Sequence, residues 1–327
     1  LNAVERIAAR FGLGPSPERP TQVHLSVTDR CFLPCVHCDI HRNRALDLPG
    51  SVWERAIDEL AAWLGPVAAN FVGGEPLLRP DLEALMARAA RHGFTVSFNT
   101  NGHLIDRERA ASLADAGVSI AYLSLDGIRP ATVDATRGVP GAFDRALAAL
   151  RALEAHPAPR VVIATILHGG NAAELPELLE WVLDRGHQLV VQPLYQNFGA
   201  FPDPTWHHDS PLWPRDPGPV HEALDRLVEA RLAGRGVCNA VEQLSAMKGY
   251  FEHPTRWNGL RCQAGTRDLA LDPRGGVRLC FMREPVGSVL EAGSLRRAWS
   301  GASARRRRRE ISRCTWSCNL LNCNFGG

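Results

Sequence analysis

Between Thr21 and about Pro193, six short apolar runs alternate with longer stretches rich in Ala, Leu and Arg. The runs are Val23–Val27, Ala69–Gly73, Phe94–Phe98, Ser119–Leu125, Val161–Leu167 and Gln188–Leu194. They are β-branched or aromatic and nearly continuous in apolar residues, as strands buried on both faces must be. Between them, Val52–Leu64, Leu82–His92, Arg107–Ala116, Ala142–Ala155 and Ala172–Arg185 read as helices. This period leaves few folds open, because each strand–helix–strand unit crosses over to extend an all-parallel sheet. Six units suit an open or partial (β/α)6 barrel better than a closed barrel of eight strands. Function then collects on the loops at the carboxyl ends of the strands.

After the sixth run the rhythm breaks. Asn197–Pro219 is crowded with Pro and carries Trp206, Trp213, His207, His208 and several Asp. Two helical stretches follow, Val220–Arg235 and Ala240–Tyr250, then a sequence that reads as a hairpin, Leu269–Phe281, turning on Pro273–Gly276. The chain of 327 residues therefore divides into an N-terminal segment (1–20), a barrel (21–195), an insertion with linker helices (196–259) and a small cysteine-bearing domain (260–327).

Composition narrows the class. With 45% hydrophobic and 22% charged residues the chain is globular, which excludes disorder. It has no apolar run long enough for a membrane helix and no signal sequence. A formal charge of +2 implies no nucleic-acid partner. The nine cysteines are too few for a secreted disulfide scaffold, and eight of them fall in groups. That pattern points to metal in a reducing compartment, so the cytoplasm is the expected location.

Cys31, Cys35 and Cys38 form C-x3-C-x2-C directly after the first strand. Three thiolates on one loop suit a cubane cluster with one iron open to a non-protein ligand; a zinc knuckle or incidental buried cysteines are the alternatives. Strand two ends in Gly73-Gly74-Glu75-Pro76, whose glycines admit a close ligand and whose carboxylate suits an ammonium. The later strand ends carry Asn99 and Asn101, then Ser124 and Asp126, polar groups suited to a ribose, and Arg137 can pair with a carboxylate.

These motifs, CFLPCVHC and GGEP above all, resemble the radical S-adenosylmethionine (SAM) enzymes over Gln22–Leu194. The resemblance implies a [4Fe–4S] cluster on Cys31, Cys35 and Cys38. SAM chelates its fourth iron and is cleaved to a 5′-deoxyadenosyl radical that abstracts a substrate hydrogen. His37 stands where the family commonly has an aromatic residue, and it can stack near adenine. Cys262-x12-Gly275-x4-Cys280 followed by Cys314, Cys318 and Cys323 resembles a shortened SPASM/twitch extension. That implies one auxiliary [4Fe–4S] cluster on Cys262, Cys280 and two of the last three, with zinc as the alternative.

Cys238 belongs to neither group. It is either a small buried hydrophobe or the thiol that returns a hydrogen atom to a substrate radical, as in family epimerases. Peptide-modifying relatives often carry a leader-binding domain before the barrel, and only about twenty residues precede the first strand here. A sugar-like small molecule is therefore the expected substrate, with Trp206, Trp213, Asp203, Asp209 and Asp216 to receive it. The expected activity is epimerisation of an aminoglycoside-type sugar of the neomycin kind, in antibiotic biosynthesis. The alternatives are a SPASM/twitch dehydrogenase of an aminocyclitol or sugar alcohol, or a peptide-modifying enzyme. A zinc adaptor leaves GGEP unexplained. Arg305–Arg309 reads as a solvated helix face or as a dock for a flavodoxin- or ferredoxin-type electron donor.

Overall fold

In a computed structural model, which describes residues 19–43, 46–197 and 203–325, the six apolar runs are six parallel strands. They are β1 (Gln22–Thr28), β2 (Ala68–Gly73), β3 (Thr95–Thr100), β4 (Val118–Ser124), β5 (Arg160–Leu167) and β6 (Gln188–Pro193). The crossovers are α1 (Gly50–Leu64), α2 (Leu82–Arg91), α3 (Arg107–Asp115), α4 (Pro130–Arg137), α5 (Ala142–Glu154) and α6 (Leu175–Asp184). The sequence reading lacks α4, a helix begun by Pro130 and ended by Gly138 in the left-handed region (φ 73°). The N-terminal segment 1–20 lies outside the described residues apart from Arg19 and Pro20.

Apolar spacing explains how the layers stack. In α1, Trp53, Ile57, Leu60 and Leu64 fall on one face, and the first three are fully buried against the sheet. Each such side chain stabilises the fold by about 1.5–3 kcal/mol. On β4 and β6 burial alternates instead, so each strand packs one face on helices and turns the other to a more open interior. Asn70 and Asn99 lie on neighbouring strands and share a 3.0 Å hydrogen bond.

The sheet does not stop at the barrel, nor is it all parallel. The C-terminal region adds β7 (Asp268–Leu271), β8 (Gly276–Arg278) and β9 (Gly287–Ser288), giving the order β6-β5-β4-β3-β2-β1-β7-β8-β9. β7 runs parallel to β1, pairing Gln22 with Asp268 and Leu25 with Leu271, whereas β8 and β9 are antiparallel. The β7–β8 turn is held by Asp272, whose Oδ1 accepts from the amides of Arg274 (3.0 Å) and Gly276 (2.8 Å). The cysteine-bearing region thus continues the barrel sheet.

At the other edge, Asn239 caps β6. Its Oδ1 accepts from Val191 N (2.7 Å) and its Nδ2 donates to Val191 O (2.8 Å), satisfying both backbone groups of Val191 at the sheet edge. Asn239 stands between α7 (Gly218–Leu232) and α8 (Val241–Glu252). Two further helices, α9 (Leu295–Ser300) and α10 (Ala302–Ser312), close the C-terminal region. In the arginine run on α10, Arg305, Arg306 and Arg309 are exposed. Arg308 turns inward, lying 4.3 Å over the Trp299 ring and donating to Gly265 O (2.7 Å) and Trp299 O (2.8 Å). Among the described residues, no helix is long and apolar enough to cross a membrane.

Candidate active site

The loop after β1 carries Cys31 and Cys38 half-buried and Cys35 buried. Its shape is fixed by backbone bonds to the end of β2 and to α4. Gly74 N donates to Thr28 O and Glu75 N to Arg30 O, both at 2.8 Å, and Val36 N donates to Thr136 O at 3.0 Å. The glycines of GGEP make these approaches possible. A Cβ on Gly73, whose φ is 141°, would stand 2.1 Å from Thr28 O, and one on Gly74 would stand 2.2 Å from Arg30 O. The close approach these glycines permit in the structure is that of the cysteine loop. Gly138 permits it too, since its Cβ would lie 2.4 Å from Pro34 O.

The three thiols stand close enough to oppose one another's ionisation. Burial pushes Cys38 up to about 12, with the neighbouring Cys35 and Cys31 adding to it, and burial raises Cys31 and Cys35 as well. Such a set of buried, mutually repelling thiolates calls for a cationic centre, and a three-cysteine iron–sulfur cluster fits it. Among the described residues no three of His, Cys, Asp and Glu close around a single metal ion. Ligands of a four-iron cube bind different irons and need not share one centre.

Glu75 is 1% exposed and already well supplied. Its Oε1 accepts from Thr100 Oγ1 (3.0 Å) and Leu77 N (3.2 Å), and its Oε2 accepts from Asn101 N (2.8 Å). Burial nevertheless lifts the carboxyl to about 7. A carboxylate has about four lone-pair sites, so these donors leave room for one more. Pro76 is buried and opens a single turn (Pro76–Leu78) that packs beside it.

Asp126 and Arg137 find each other. They form a buried ion pair of 2.7 Å, Asp126 Oδ1 also accepts from Ile166 N (3.0 Å), and the Arg137 charge partly offsets the rise that burial imposes on the Cys35 thiol. Of the remaining strand-end groups, Asn99 Oδ1 takes the Asn70 amide and Asn101 Oδ1 takes His103 N (2.9 Å), while Ser124 is half-buried at the end of β4. His37 is buried and neutral. Burial first, then the Arg137 charge, holds it down at about 4, and its Nδ1 has no hydrogen-bond partner. The ring exposed on the loop is instead Phe32, which packs against His103 at 5.8 Å.

Four neighbours escaped the sequence reading: Thr136, His168, Asn171 and Glu174. His168 Nδ1 accepts from Gly170 N (3.0 Å), which leaves Nε2 to donate to Thr136 Oγ1 (3.2 Å). Asn171 Nδ2 bridges Asp126 O (2.7 Å) and Ile166 O (2.8 Å), and Glu174 gathers the amides of Ile128 and Arg129. The signal was available in His168-Gly169-Gly170-Asn171, another glycine-bearing polar segment directly after a strand.

In the C-terminal region, Cys262, Cys280, Cys314 and Cys318 line one cavity of about 490 Å³ with Met282, Arg283, Ile311 and Trp316. Cys323 lines a different, smaller cavity of about 220 Å³ behind Cys280, next to His24 and Asp268. Burial raises Cys262 and Cys323 to about 12, and raises Cys318 further, with the neighbouring thiols contributing.

Cys238 does not reach the mouth of the barrel. Its amide donates to Leu189 O (2.9 Å), beside the start of β6. At the rise of a strand that is roughly 13 Å short of the end at Pro193. The charges near its thiol are Arg160 and Arg231, and Tyr122 feels it from β4.

The Pro-rich segment packs on itself as well. Trp206 and Trp213 meet edge to face at 5.3 Å, and Trp213 is buried against Tyr250 and Phe251. Asp203 caps Thr205 N (2.8 Å) and Asp216 caps Gly218 N (2.9 Å). The expected sugar-binding rings and carboxylates are thus largely spent on internal contacts. Residues 198–202 of the segment lie outside the described residues.

Residues 25–182 match the family model of the radical SAM superfamily. Fe-coproporphyrin III synthase of Methanosarcina barkeri is 37% identical over 170 residues, 50% of this chain and 41% of that protein. PqqA peptide cyclase of Ruegeria pomeroyi is 28% identical over 332 residues, 96% of this chain and 84% of that protein. The chain thus spans less than half of the first relative's length and most of the second's. SuiB of Streptococcus suis bound to S-adenosylmethionine has the same fold, with a TM-score of 0.70 at 14% identity over 93% of this chain and 74% of that one. SuiB has also been solved bound to the precursor peptide SuiA.

Proposed function

Residues 25–182 belong to the radical SAM superfamily, and from that premise we propose that the chain modifies a peptide by removing a hydrogen atom from it. The family's cofactors, S-adenosylmethionine and a [4Fe–4S] cluster, together supply one-electron cleavage to a 5′-deoxyadenosyl radical. The chain's residues hold and orient them. Cys31, Cys35 and Cys38 would ligate three irons and leave the fourth open. The remaining acceptor site on Glu75 would take the methionine ammonium, positioned by Thr100 and Asn101. Arg137, paired with Asp126, would set a positive charge near Cys35. Cys262, Cys280, Cys314 and Cys318 would hold the auxiliary cluster.

The observation that carries this reading is likeness along nearly the whole chain, 96%, to a PqqA peptide cyclase. The expectation of an aminoglycoside epimerase finds no support among these relatives, which favour the peptide-modifying alternative. Its aromatic and acidic receptor packs on itself, and its supposed donor, Cys238, lies beside the start of β6. The test uses reconstituted enzyme with SAM and dithionite, challenged separately with a synthetic peptide library and with neomycin-class aminoglycosides. Peptide-stimulated 5′-deoxyadenosine and a peptide mass change are expected. Stimulation by the aminoglycosides alone would overturn the reading.

A further inference from the structure

The cavity shared by Cys262, Cys280, Cys314 and Cys318 reaches the surface at Trp316, which lines it and is 46% exposed. A second exposed ring, Trp257 (54%), lies on the adjoining segment. The two segments are tied together: Ser317 Oγ donates to Pro254 O (2.8 Å), and Asn258 and Asn319 exchange side-chain hydrogen bonds of 2.7 and 3.0 Å. Ile311 of α10 lines the same cavity, so the arginine face of that helix runs up to its wall. Arg305, Arg309 and Arg313 are exposed and follow one another at a spacing of four residues. The acid of α10, Glu310, is already shared by Arg307 (2.9 Å), Arg283 (3.6 Å) and Arg306 (4.0 Å). Among the described residues no acid forms an ion pair with Arg305, Arg309 or Arg313. Residues 254–262, 280–284 and 302–316, which supply most of the cavity wall, hold nine arginines and two glutamates, Glu284 and Glu310.

We propose that this face docks an acidic one-electron carrier protein, which passes its electron to the auxiliary cluster. This rests on the reading of Cys262, Cys280, Cys314 and Cys318 as that cluster's ligands. On a chain whose formal charge is only +2, an uncompensated row of guanidinium groups is a local field, which steers and orients a partner of opposite charge. Tryptophan and arginine are also the side chains that most often anchor the centre of a protein interface. Electron transfer weakens steeply with distance, and at Trp316 the cavity wall and the surface coincide. In the step the carrier loses one electron and the auxiliary cluster gains it, with no bond made or broken. A carrier suits the face better than an acidic peptide substrate does, because the arginines border the four-cysteine cavity and not the cysteine loop after β1.

The experiment mixes reconstituted enzyme with reduced plant-type ferredoxin, an acidic [2Fe–2S] carrier, and follows ferredoxin oxidation by absorbance across a salt series. Wild type is compared with Arg305→Gln/Arg306→Gln/Arg309→Gln. A control, Arg91→Gln/Arg107→Gln/Arg151→Gln, removes the same charge from exposed positions on other helices. All three proteins should carry about eight irons per chain, as two four-iron clusters require, and reach the same final reduction with dithionite. The α10 variant should oxidise ferredoxin about tenfold more slowly at low salt and converge with wild type at high salt. The control should match wild type throughout, and freeze-quench EPR should find the first electron on the auxiliary cluster. Equal rates in wild type and the α10 variant, equal losses in both variants, or first arrival at the SAM cluster would overturn the docking role. Slower dithionite-driven peptide turnover with unchanged ferredoxin oxidation would give the face to the peptide instead. About four irons in wild type would overturn the cluster reading, and the electron's destination with it.

Discussion

Arg137 Nη2 lies 2.7 Å from Asp126 Oδ2 in the protein interior, and the same guanidinium charge opposes the rise that burial imposes on the Cys35 thiol. A residue at the end of α4 and one just past β4 thus form an ion pair whose cation acts electrostatically on a cysteine of the loop after β1. Removing one partner leaves a buried charge uncompensated, at a cost of about 3–5 kcal/mol. Arg137→Met should lower the thermal midpoint and the iron retained on reconstitution. Asp126→Asn in the same chain should recover part of the loss, because a neutral amide tolerates burial and still accepts from Ile166 N. A double mutant no more stable than Arg137→Met would show that the pair is not coupled.

The glycines of GGEP give a second test. Gly74→Ala would place a Cβ 2.2 Å from Arg30 O, and Gly73→Ala would do so 2.1 Å from Thr28 O at a φ of 141°. Backbone cannot yield as a flexible side chain does, so the cysteine loop must shift. Both variants should lose iron from the SAM cluster and keep the auxiliary cluster. Gly65→Ala serves as control, because that position has positive φ but nothing within 4 Å of the added carbon. Iron content with EPR separates the outcomes, and full loading of Gly74→Ala would count against the close approach.

The strands and crossovers were legible because burial on both faces writes itself as runs such as VVIATIL. The cysteine loop was legible because its three ligands are close in sequence. What was not legible depends on contacts between distant segments. Nothing local announces that Asp268 on β7 pairs beside Gln22 on β1, because a four-residue strand carries too little pattern. Nor does GGEP reveal whether its glycines face a ligand or a loop, since either close approach needs the same missing Cβ. Glu75 was found by its motif, yet its bonds to Thr100 and Asn101 appear only once β2 and β3 lie side by side. Trp206 and Trp213 read as open rings because composition cannot tell a ring that greets a ligand from one that packs on its neighbour.

Asp58 on α1 ties down α2. Hydrogen bonds from Arg88 (2.7 and 2.6 Å), and then from His92 (2.9 Å), hold its carboxyl at about 2 against the usual 3.8. A carboxyl lowered in the folded state stabilises it fully above its unfolded value and loses that contribution as pH falls through the folded one. Wild type should therefore melt above Asp58→Asn at neutral pH, and the gap should narrow from pH 3.8 towards pH 2. The pair is exposed, so the gap should also shrink with added salt. A gap that widens on acidification would contradict the assignment.

Cys238 should be dispensable. It sits beside Leu189 near the start of β6, and the cysteine loop sits at the opposite end of the strands. Cys238→Ala should keep both clusters, SAM cleavage and peptide turnover at the wild-type rate. Loss of product with SAM cleavage intact would return this thiol to the chemistry.

The five C-terminal cysteines should divide four to one. Cys262, Cys280, Cys314 and Cys318 share one cavity, whereas Cys323 faces another with His24 and Asp268, themselves 3.4 Å apart and buried. A cluster held in the first cavity has four thiolates without Cys323, and a four-iron cube needs no fifth. Sequence spacing alone left Cys314, Cys318 and Cys323 equivalent; the fold separates them by turning Cys323 behind Cys280. Alanine at any of the four should remove about half the iron, the share of one cluster in two. SAM cleavage should survive, because Cys31, Cys35 and Cys38 are untouched. Cys323→Ser should retain both clusters and both EPR signals. If Cys323→Ser loses the auxiliary signal while Cys314→Ala or Cys318→Ala keeps it, the ligand set must exchange that residue for Cys323.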